Sequence, residues 1–497
     1  MSRRIIILIA IASCGLLAGE MLAIRAIEMF APVGVMLTGA ILTFALGGAA
    51  VGALIAGRAP SGSGSSLRLA ALALSLLLAF VPLWGVFLCE AFAIGPLSSP
   101  LLLLVVAALA VGPLAIASGT IFPLGVGAGI KVSGGHIGLA ASAGALGAAI
   151  GALAPELLDI ISDRSLALGI AVALALSAVA VGGRRSTTIA VIAILICSPL
   201  FIPRLPHDCD TSTRYYACLA IVYPHADEPT LTQLNIGRSG VISIFYLNSS
   251  TPARIYIGAA RDLARLRVAP GSGRIATLGG GGLGFPRLWA GSGSGVVTPQ
   301  VAVEIDAKML ELVESVAPSS LIPGLEVVAG DARRWVTTQP DNSYRLVFVD
   351  TFRTAEPAPG MLSHELAADL SRITTGDGLV IYHAAGWGSH RIPRAVAATL
   401  KSAFPWVTAI RILQPGARPG DVNHTKWLIA ASREPIDSAA IESIRPAIDG
   451  WQIEQHRSDA PGWDDFVGDA TVLSDDFAPL EWLNLLDTLE LISARGQ

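Results

Sequence analysis

The first two hundred residues contain seven long apolar stretches, which constrain the fold more than any other feature of the sequence. A helix needs about 20 mostly apolar residues to cross a bilayer, and the stretches reach or approach that length. The first, from Ile5, is too long and too closely followed by others to be a cleaved signal peptide. We therefore predict a membrane domain of about seven helices over residues 1–204. The predicted spans cover approximately residues 5–27, 32–56, 69–94, 100–118, 137–158, 166–182 and 187–202.

Glycine and alanine are dense in these spans, for example over residues 44–57 and 144–156. Small residues let helix backbones approach closely in lipid, so we interpret the glycines as packing residues of a compact bundle. Glu20, Arg25 and Glu90 are ionisable residues in or near the spans. Because a charge in hydrocarbon is costly, we expect them to face the bundle interior or an interface. A Glu20–Arg25 pair and a polar lining for a substrate or headgroup pocket are both open.

From about residue 205 the composition changes to mixed charge, turn residues and short apolar runs. Strand-like pieces separated by turn signals lie within residues 230–257, which predicts a small antiparallel β unit. From residue 274 onward strand and helix patterns alternate, as in βαβ units with a mostly parallel sheet. We therefore predict a small β domain and linker over 205–260 and an α/β domain over 261–497.

Residues with ligand-binding chemistry follow four successive strands, at the edge where open α/β sheets bind ligands. Glycines follow the first strand and allow a tight turn with close approach of backbone to ligand. Glu304 ends the second strand, where a carboxylate can accept both hydroxyl protons of a ribose. Asp331 and Asp350 follow the third and fourth strands, and the alternative for each carboxylate is helix capping or a solvated loop. The glycines are Gly279, Gly280, Gly281 and Gly282.

These segments resemble the successive motifs of the spermidine synthase family, and in particular of its membrane-fused members. The family is a branch of the adenosylmethionine-dependent, methyltransferase-like Rossmann folds. The resemblance therefore implies a membrane α-helical bundle, a small antiparallel β unit and a Rossmann-like catalytic domain. The motifs are "TLGGGGLG" (277–284), "VAVEID" (301–306), "VVAGDARRWV" (327–336) and "RLVFVDTF" (345–352). Residues 13–27, 212–222 and 473–482 are similar to further segments of those proteins.

The resemblance assigns roles to the strand-end residues by position. The four glycines would form the donor loop, Glu304 would bind the ribose and Asp331 the adenine. Asp350 would orient or deprotonate the attacking amine, which must lose a proton before it attacks the carbon next to a sulfonium. The implied activity moves an aminopropyl group from decarboxylated S-adenosylmethionine to an amine.

Other residues are candidates for the acceptor side. Tyr215 and Tyr216 either line the acceptor pocket or belong to the core. Asp475, Asp476 and Glu481 either contact an amine acceptor or lie in a solvated loop. His383, after the fifth strand, is either a base or a polar residue at a strand end. We expect His364 and Glu365 to begin a helix.

The chain departs from the family's pattern at two positions. Gly282 stands where soluble members carry an aspartate that holds the donor's terminal amine. Arg353 stands where they carry a second aspartate, three residues after Asp350. Both changes remove negative charge that would bind a cationic group, and Arg353 favours a carboxylate or phosphate.

These departures keep two alternatives open beside aminopropyl transfer. One is methyl or other alkyl transfer from intact S-adenosylmethionine to a lipid or a small acid. The other is a transporter or sensor whose second half binds polyamine or nucleoside without turnover. The partners expected are a small-molecule amine or lipid acceptor and the lipid bilayer, and a homodimer is left open. The net charge of −4 does not favour nucleic acid, and the histidines and cysteines lack metal-ligand spacing.

The orientation of the protein stays open. Basic residues lie at the amino terminus and in even-numbered loops, which places the amino terminus in the cytoplasm. Seven spans then put the second half outside, where Cys209 and Cys218 could form a disulfide, whereas a cytosolic donor favours the inside. A re-entrant or broken helix at residues 119–130 would change the count of spans. We expect a multi-pass protein of the inner (cell) membrane.

Overall fold

The protein is described by a computed structural model that divides into two compact units. One is Met1–Cys218 with Gly237–Ser239, and the other is Leu219–Ile236 with Gly240–Gln497. In the first half the structure describes residues 3–31, 35–58, 64–94, 100–129, 134–154 and 163–179. In the second half it describes residues 211–495 except 214, 217, 223–230, 238–240, 247–251, 253, 292–295, 353–356, 414–424, 443 and 445–451.

The described part of the first unit contains six helices. Four of them, α1 to α4, are long and apolar enough to cross a membrane by length and composition, and α5 and α6 are shorter apolar helices. These six helices overlap the first six predicted spans, and the seventh, residues 187–202, lies outside the described residues. The helices are α1 (Arg3–Glu28), α2 (Val35–Gly57), α3 (Gly64–Ala91), α4 (Pro100–Gly129), α5 (Gly134–Ala152) and α6 (Asp163–Val179).

Helix α4 continues without interruption to Gly129, although it contains Pro113 and Pro123. The prediction of a re-entrant or broken helix at residues 119–130 is therefore wrong for the residues up to Gly129. Proline is tolerated in apolar helices of this kind because neighbouring helices and side chains can satisfy the backbone groups that it frees.

Glycines bring α2 and α4 into backbone contact. A Cβ on Gly52 would lie 2.1 Å from the carbonyl oxygen of Ile116, and a Cβ on Gly119 would lie 2.1 Å from that of Ala49. Any larger residue at either position would push the two helices apart. This contact confirms the packing interpretation for these two glycines.

The ionisable residues of the bundle do not form the Glu20–Arg25 pair. Arg25 instead forms an ion pair with Asp163 at the start of α6, with Nε 3.1 Å from Oδ2. Its guanidinium also donates to the carbonyl oxygen of Thr213 over 2.7 Å. Glu20 is buried, whereas Glu90 is exposed one residue before the end of α3. The ion-pair partner of Arg25 is therefore an aspartate at the start of a distant helix.

Of the two cysteines in the predicted disulfide, the structure describes only Cys218. Cys218 is disulfide-bonded, whereas Cys14 and Cys89 are free. Cys209 lies outside the described residues, so a Cys209–Cys218 bond stays a prediction.

The second unit begins with a three-stranded antiparallel sheet in the order β1–β2–β3. Its strands are β1 (Leu219–Val222), β2 (Leu231–Ile236) and β3 (Val241–Tyr246). Strands β2 and β3 confirm the small antiparallel β unit predicted within residues 230–257, whereas β1 lies upstream of that range. The end of the range was wrongly predicted as strand, because the helix Ile255–Arg265 begins there.

An eight-stranded sheet follows, in the order β11–β9–β10–β8–β7–β4–β5–β6. The five strands from β8 to β6 run parallel to one another, and β10 is antiparallel to both β8 and β9. The strands are β4 (Ile275–Leu278), β5 (Gln300–Glu304), β6 (Leu325–Ala329), β7 (Tyr344–Val349), β8 (Thr374–Gly386), β9 (Trp406–Leu413), β10 (Thr425–Ser432) and β11 (Gln452–Arg457). The α/β unit therefore has a Rossmann-like methyltransferase fold.

Helices cover both faces of this sheet and bury it between two apolar layers. One layer includes α10 to α12 and the start of α15, and the other includes α7, α8 and α13. The helices are α7 (Ile255–Arg265), α8 (Gly284–Ala290), α9 (Ala307–Val316), α10 (Ala332–Thr338), α11 (His364–Ile373), α12 (Arg391–Lys401), α13 (Ser438–Glu442), α14 (Trp463–Val467) and α15 (Leu480–Arg495). His364 and Glu365 begin α11, as expected.

Candidate functional site

The candidate site lies where the order of the strands reverses. The chain passes from β4 outward to β5 and β6, and then returns to place β7 on the other side of β4. Leu278 at the end of β4 pairs with Val349 at the end of β7. The segments that follow these two strands therefore start side by side, at the switch point where open α/β sheets bind ligands.

The glycine loop is held tightly between the neighbouring strands. Gly279 has a φ of +84°, and a Cβ at this position would lie 2.3 Å from the carbonyl oxygen of Asp350. The amides of Gly279 and Gly280 donate to the carbonyl oxygen of Val303 over 2.9 and 3.1 Å. Position 279 therefore requires glycine for both its conformation and its space.

Glu304 faces this loop from the end of β5. Its side chain is buried, and its carboxylate accepts hydrogen bonds from the amides of Gly281 and Asp306 over 2.9 and 3.2 Å. Burial raises the pKa of Glu304, and these backbone hydrogen bonds oppose that shift. The carboxylate is thus fixed beside the glycine loop, and its binding to a ribose stays a prediction.

Asp331 caps a helix in this structure. It precedes α10, and its Oδ1 accepts from the amides of Arg333 and Arg334 over 2.8 and 3.4 Å. The side chain is also exposed after β6, one strand along from Glu304. The capping alternative therefore describes Asp331 as it stands, and its contact with an adenine stays a prediction.

The acidic residues near the carboxyl end of the chain lie beside α10. Asp475 forms an ion pair with Arg333 over 2.9 Å, and its amide donates to Glu365 over 3.0 Å. Asp476 is exposed. Their contact with an amine acceptor stays a prediction.

Asp350 joins two other side chains at the switch point. Its Oδ1 lies 2.7 Å from Nδ1 of His383 on β8, and its Oδ2 accepts a hydrogen bond from the hydroxyl of Tyr256 over 3.0 Å. The Tyr256 and His383 rings are stacked with their centres 3.8 Å apart. Asp350, His383 and Tyr256 therefore form one hydrogen-bonded and stacked cluster, which we call the base cluster.

The electrostatics of the base cluster favour a neutral histidine. Burial lowers the pKa of His383, and the Asp350 carboxylate opposes that shift. Burial and the Asp350 charge raise the pKa of Tyr256 well above its usual range. The Nε2 atom of His383 is buried and has no hydrogen-bond partner among the described residues. When Nδ1 donates to Asp350, Nε2 is left as a proton acceptor.

Lys426 on β10 stands beside this cluster. Its Nζ lies 5.8 Å from the centre of the Tyr256 ring. Burial lowers the pKa of Lys426 to about 8, and Asp350 opposes that shift. The sequence reasoning missed both Tyr256 and Lys426. The sequence signal for Lys426 is its position directly before the apolar run "WLIAA", where it is the one charged residue of the strand.

An aromatic ring occupies the space beside Gly282. A Cβ on Gly282 would lie 2.4 Å from Cε1 of Phe245, which is buried on β3. The acid that the resemblance expects at position 282 therefore has no room in this arrangement. Arg353, the second departure, lies outside the described residues.

Tyr215 and Tyr216 belong to the first unit. Tyr216 is buried, and the amides of both residues donate to the hydroxyl of Thr213. Their place in an acceptor pocket stays a prediction. No group of histidine, cysteine, aspartate and glutamate side chains that could hold a metal ion occurs among the described residues.

No protein-family model and no curated protein matches the sequence. Among solved structures, the chain is similar to a probable spermidine synthase from Corynebacterium glutamicum ATCC 13032, with 18% identity over 53% of this chain and 94% of that chain and a TM-score of 0.45. It is also similar to spermidine synthase from Thermotoga maritima, with 13% identity over 53% and 84% of the two chains and a TM-score of 0.32. The chain resembles spermidine synthases.

A methyltransferase is similar over a shorter range. Human methyltransferase-like protein 13, solved in complex with SAH, is 19% identical over 38% of this chain and 85% of that chain, with a TM-score of 0.29.

Proposed function

We propose that the protein is a membrane-bound transferase that moves an aminopropyl group from decarboxylated S-adenosylmethionine to an amine. The observation that supports this proposal is the pair of Asp350 and His383, joined over 2.7 Å next to the glycine loop. The four helices that are long and apolar enough to cross a membrane support the membrane location.

In this proposal the glycine loop and Glu304 bind the nucleoside of the donor. Nε2 of His383 takes the proton of the acceptor amine, and Asp350 holds the imidazole through Nδ1 and stabilises the imidazolium that forms. The amine nitrogen then forms a bond to the donor carbon as the bond from that carbon to sulfur breaks. The sulfonium becomes a neutral thioether nucleoside, and the proton stays on His383 until solvent takes it. Positioning of donor and acceptor supplies the rest of the acceleration.

A second candidate is methyl transfer from intact S-adenosylmethionine. It is favoured by Gly282, because the loop supplies no carboxylate at this position to bind the cationic amine of an aminopropyl group. The same base cluster would deprotonate the acceptor in that reaction.

The proposal is tested with the full-length protein purified in detergent. The protein is incubated with each of the two donors, with diamines and with native lipids, and the products are identified by mass spectrometry. H383A and D350N should each lower turnover about a hundredfold or more, the usual contribution of general-base catalysis. Calorimetry should show that both variants still bind the nucleoside. H364A changes an exposed histidine that begins α11 and serves as the control with unchanged turnover.

The pH dependence of kcat/KM distinguishes a catalytic base at His383 from a histidine with only a structural role. A base must be unprotonated, and the pKa of His383 is lowered from its ordinary 6.5, so kcat/KM should be lost only as pH falls below about 6.5. H383A should lose this acidic limb. Unchanged turnover in H383A and D350N would overturn the assignment, and nucleoside binding without any product would favour the non-catalytic transporter or sensor.

A further inference from the structure

Lys426 lies on the same face of the sheet as the base of the cluster. In the antiparallel pair of β10 and β8, Leu428 is opposite His383 and Lys426 is opposite Ala385. Residues opposite each other, and residues two apart on a strand, project from one face of a sheet. Lys426 is therefore displaced from His383 by two residues toward the carboxyl end of β8, which is the edge where the ligand binds.

The Lys426 ammonium has no anion within ion-pair distance in the described part of the chain, and the Asp350 carboxylate acts on it only from farther away. Among the described residues it forms no ion pair and no hydrogen bond, and its described contact is with the ring of Tyr256 at 5.8 Å. Taking an ammonium out of water without an anionic partner is costly. At neutral pH the group is still mostly charged, because its pKa is lowered only to about 8. This cost is offset when a bound ligand brings an anionic group to Lys426.

The charges around the base cluster are unsuited to a polycation. Lys426 and Arg254, which precedes α7, both act electrostatically on His383, against the single carboxylate of Asp350. Position 282 is a glycine, so the loop supplies no carboxylate there to attract an amine. A second ammonium on the ligand would therefore be repelled.

We propose that Lys426 determines specificity by binding a carboxylate or phosphate of the ligand that lies against Asp350 and His383. This inference rests on the proposed function and narrows it, since the preferred acceptor is then an amine that also carries an acidic group. The anionic group has two sources, namely the acceptor itself and the methionine carboxylate of the intact donor. Both would be bound by the same ammonium.

Ornithine and putrescine form a matched pair of acceptors, since they differ only in a carboxylate. Full-length wild-type protein should transfer to ornithine, or to phosphatidylethanolamine in vesicles, with a higher kcat/KM than to putrescine. K426Q should lower the ratio of kcat/KM for the anionic acceptors to kcat/KM for putrescine about tenfold or more. K426R keeps the charge and should keep the preference. K401Q removes an exposed lysine at the end of α12 and is the control for loss of one charge.

Calorimetry with the two donors tests whether the anionic group is the methionine carboxylate of the intact donor, and this measurement does not require turnover. If Lys426 binds the donor's carboxylate, K426Q should weaken intact S-adenosylmethionine about tenfold and leave the decarboxylated donor unchanged. Binding of ornithine and putrescine in the presence of the nucleoside is measured in the same way. A wild-type protein that forms no product overturns the proposed transferase, whereas these binding differences still support Lys426. Equal effects of K426Q on all ligands, or no effect, overturn the role of Lys426.

Discussion

Glycine has different consequences in the two units of this protein. In the bundle, Gly119 on α4 lies against the backbone of α2, and a Cβ there would reach the carbonyl oxygen of Ala49. In the α/β unit, Gly279 lies against the backbone of Asp350 and has a positive φ. The first contact joins two helices, and the second places the proposed donor loop against Asp350, the residue that holds the proposed base His383. Substitutions should therefore damage packing in one unit and donor binding in the other.

The largest effect is expected at Gly279. In G279A, the left-handed backbone conformation and the overlap with Asp350 together should cost about 2–5 kcal/mol. We expect loss of donor binding in calorimetry together with a lower midpoint of thermal unfolding. G330A is the matched control, because Gly330 follows β6 and a Cβ there would meet no atom within 4 Å. A G279A protein that binds the donor like the wild type would show that the loop is not the donor site.

A smaller effect is expected at Gly119. G119A should lower the stability of the detergent-purified protein by about 1–3 kcal/mol, because α2 and α4 must move apart. Donor affinity, measured by calorimetry below the unfolding transition, should stay unchanged. G112A changes another glycine of α4 that has open space at its Cβ, and it should be neutral in both measurements. If G119A weakened donor binding, the glycines of the two units would not be functionally distinct.

The smallest effect is expected at Gly282, where the neighbour is a side chain that can shift. G282A should destabilise the protein by about 1 kcal/mol through overlap with the buried ring of Phe245. In F245A the ring is absent, and adding G282A should then cost less, with only the Ser243 hydroxyl left close to the new Cβ, at 2.9 Å. A double-mutant cycle by thermal unfolding measures this coupling, and additive effects would show that Phe245 does not exclude a side chain from position 282.

The sequence predicted the parts of the site that follow directly from a strand end. Gly279, Glu304 and Asp350 each follow or end a parallel strand, so the local pattern and the rule for open α/β sheets suffice to bring them together. Asp331 shows the limit of that rule. An aspartate between a strand and a helix is suited to capping as well as to ligand binding, and the structure shows the cap.

The rest of the site depends on contacts between distant segments. Lys426 lies beside the base cluster because β10 inserts between β8 and β9, and no local sequence pattern predicts that pairing. Tyr256 belongs to a helix that precedes the whole parallel sheet. In the bundle, Arg25 pairs with Asp163, 138 residues away, whereas the nearer Glu20 was the obvious partner. Such partners are set by tertiary packing rather than by spacing along the chain.

The contact between Gly279 and the Asp350 carbonyl also has a consequence for protein engineering. Changing the transferred group by enlarging the glycine loop would displace the main chain of Asp350 as well, since a Cβ on Gly279 would lie 2.3 Å from that oxygen. Substitutions in the glycine loop would therefore change the proposed donor site and the position of Asp350 together. Variation is better directed at β10, where Lys426 can be replaced without touching the loop.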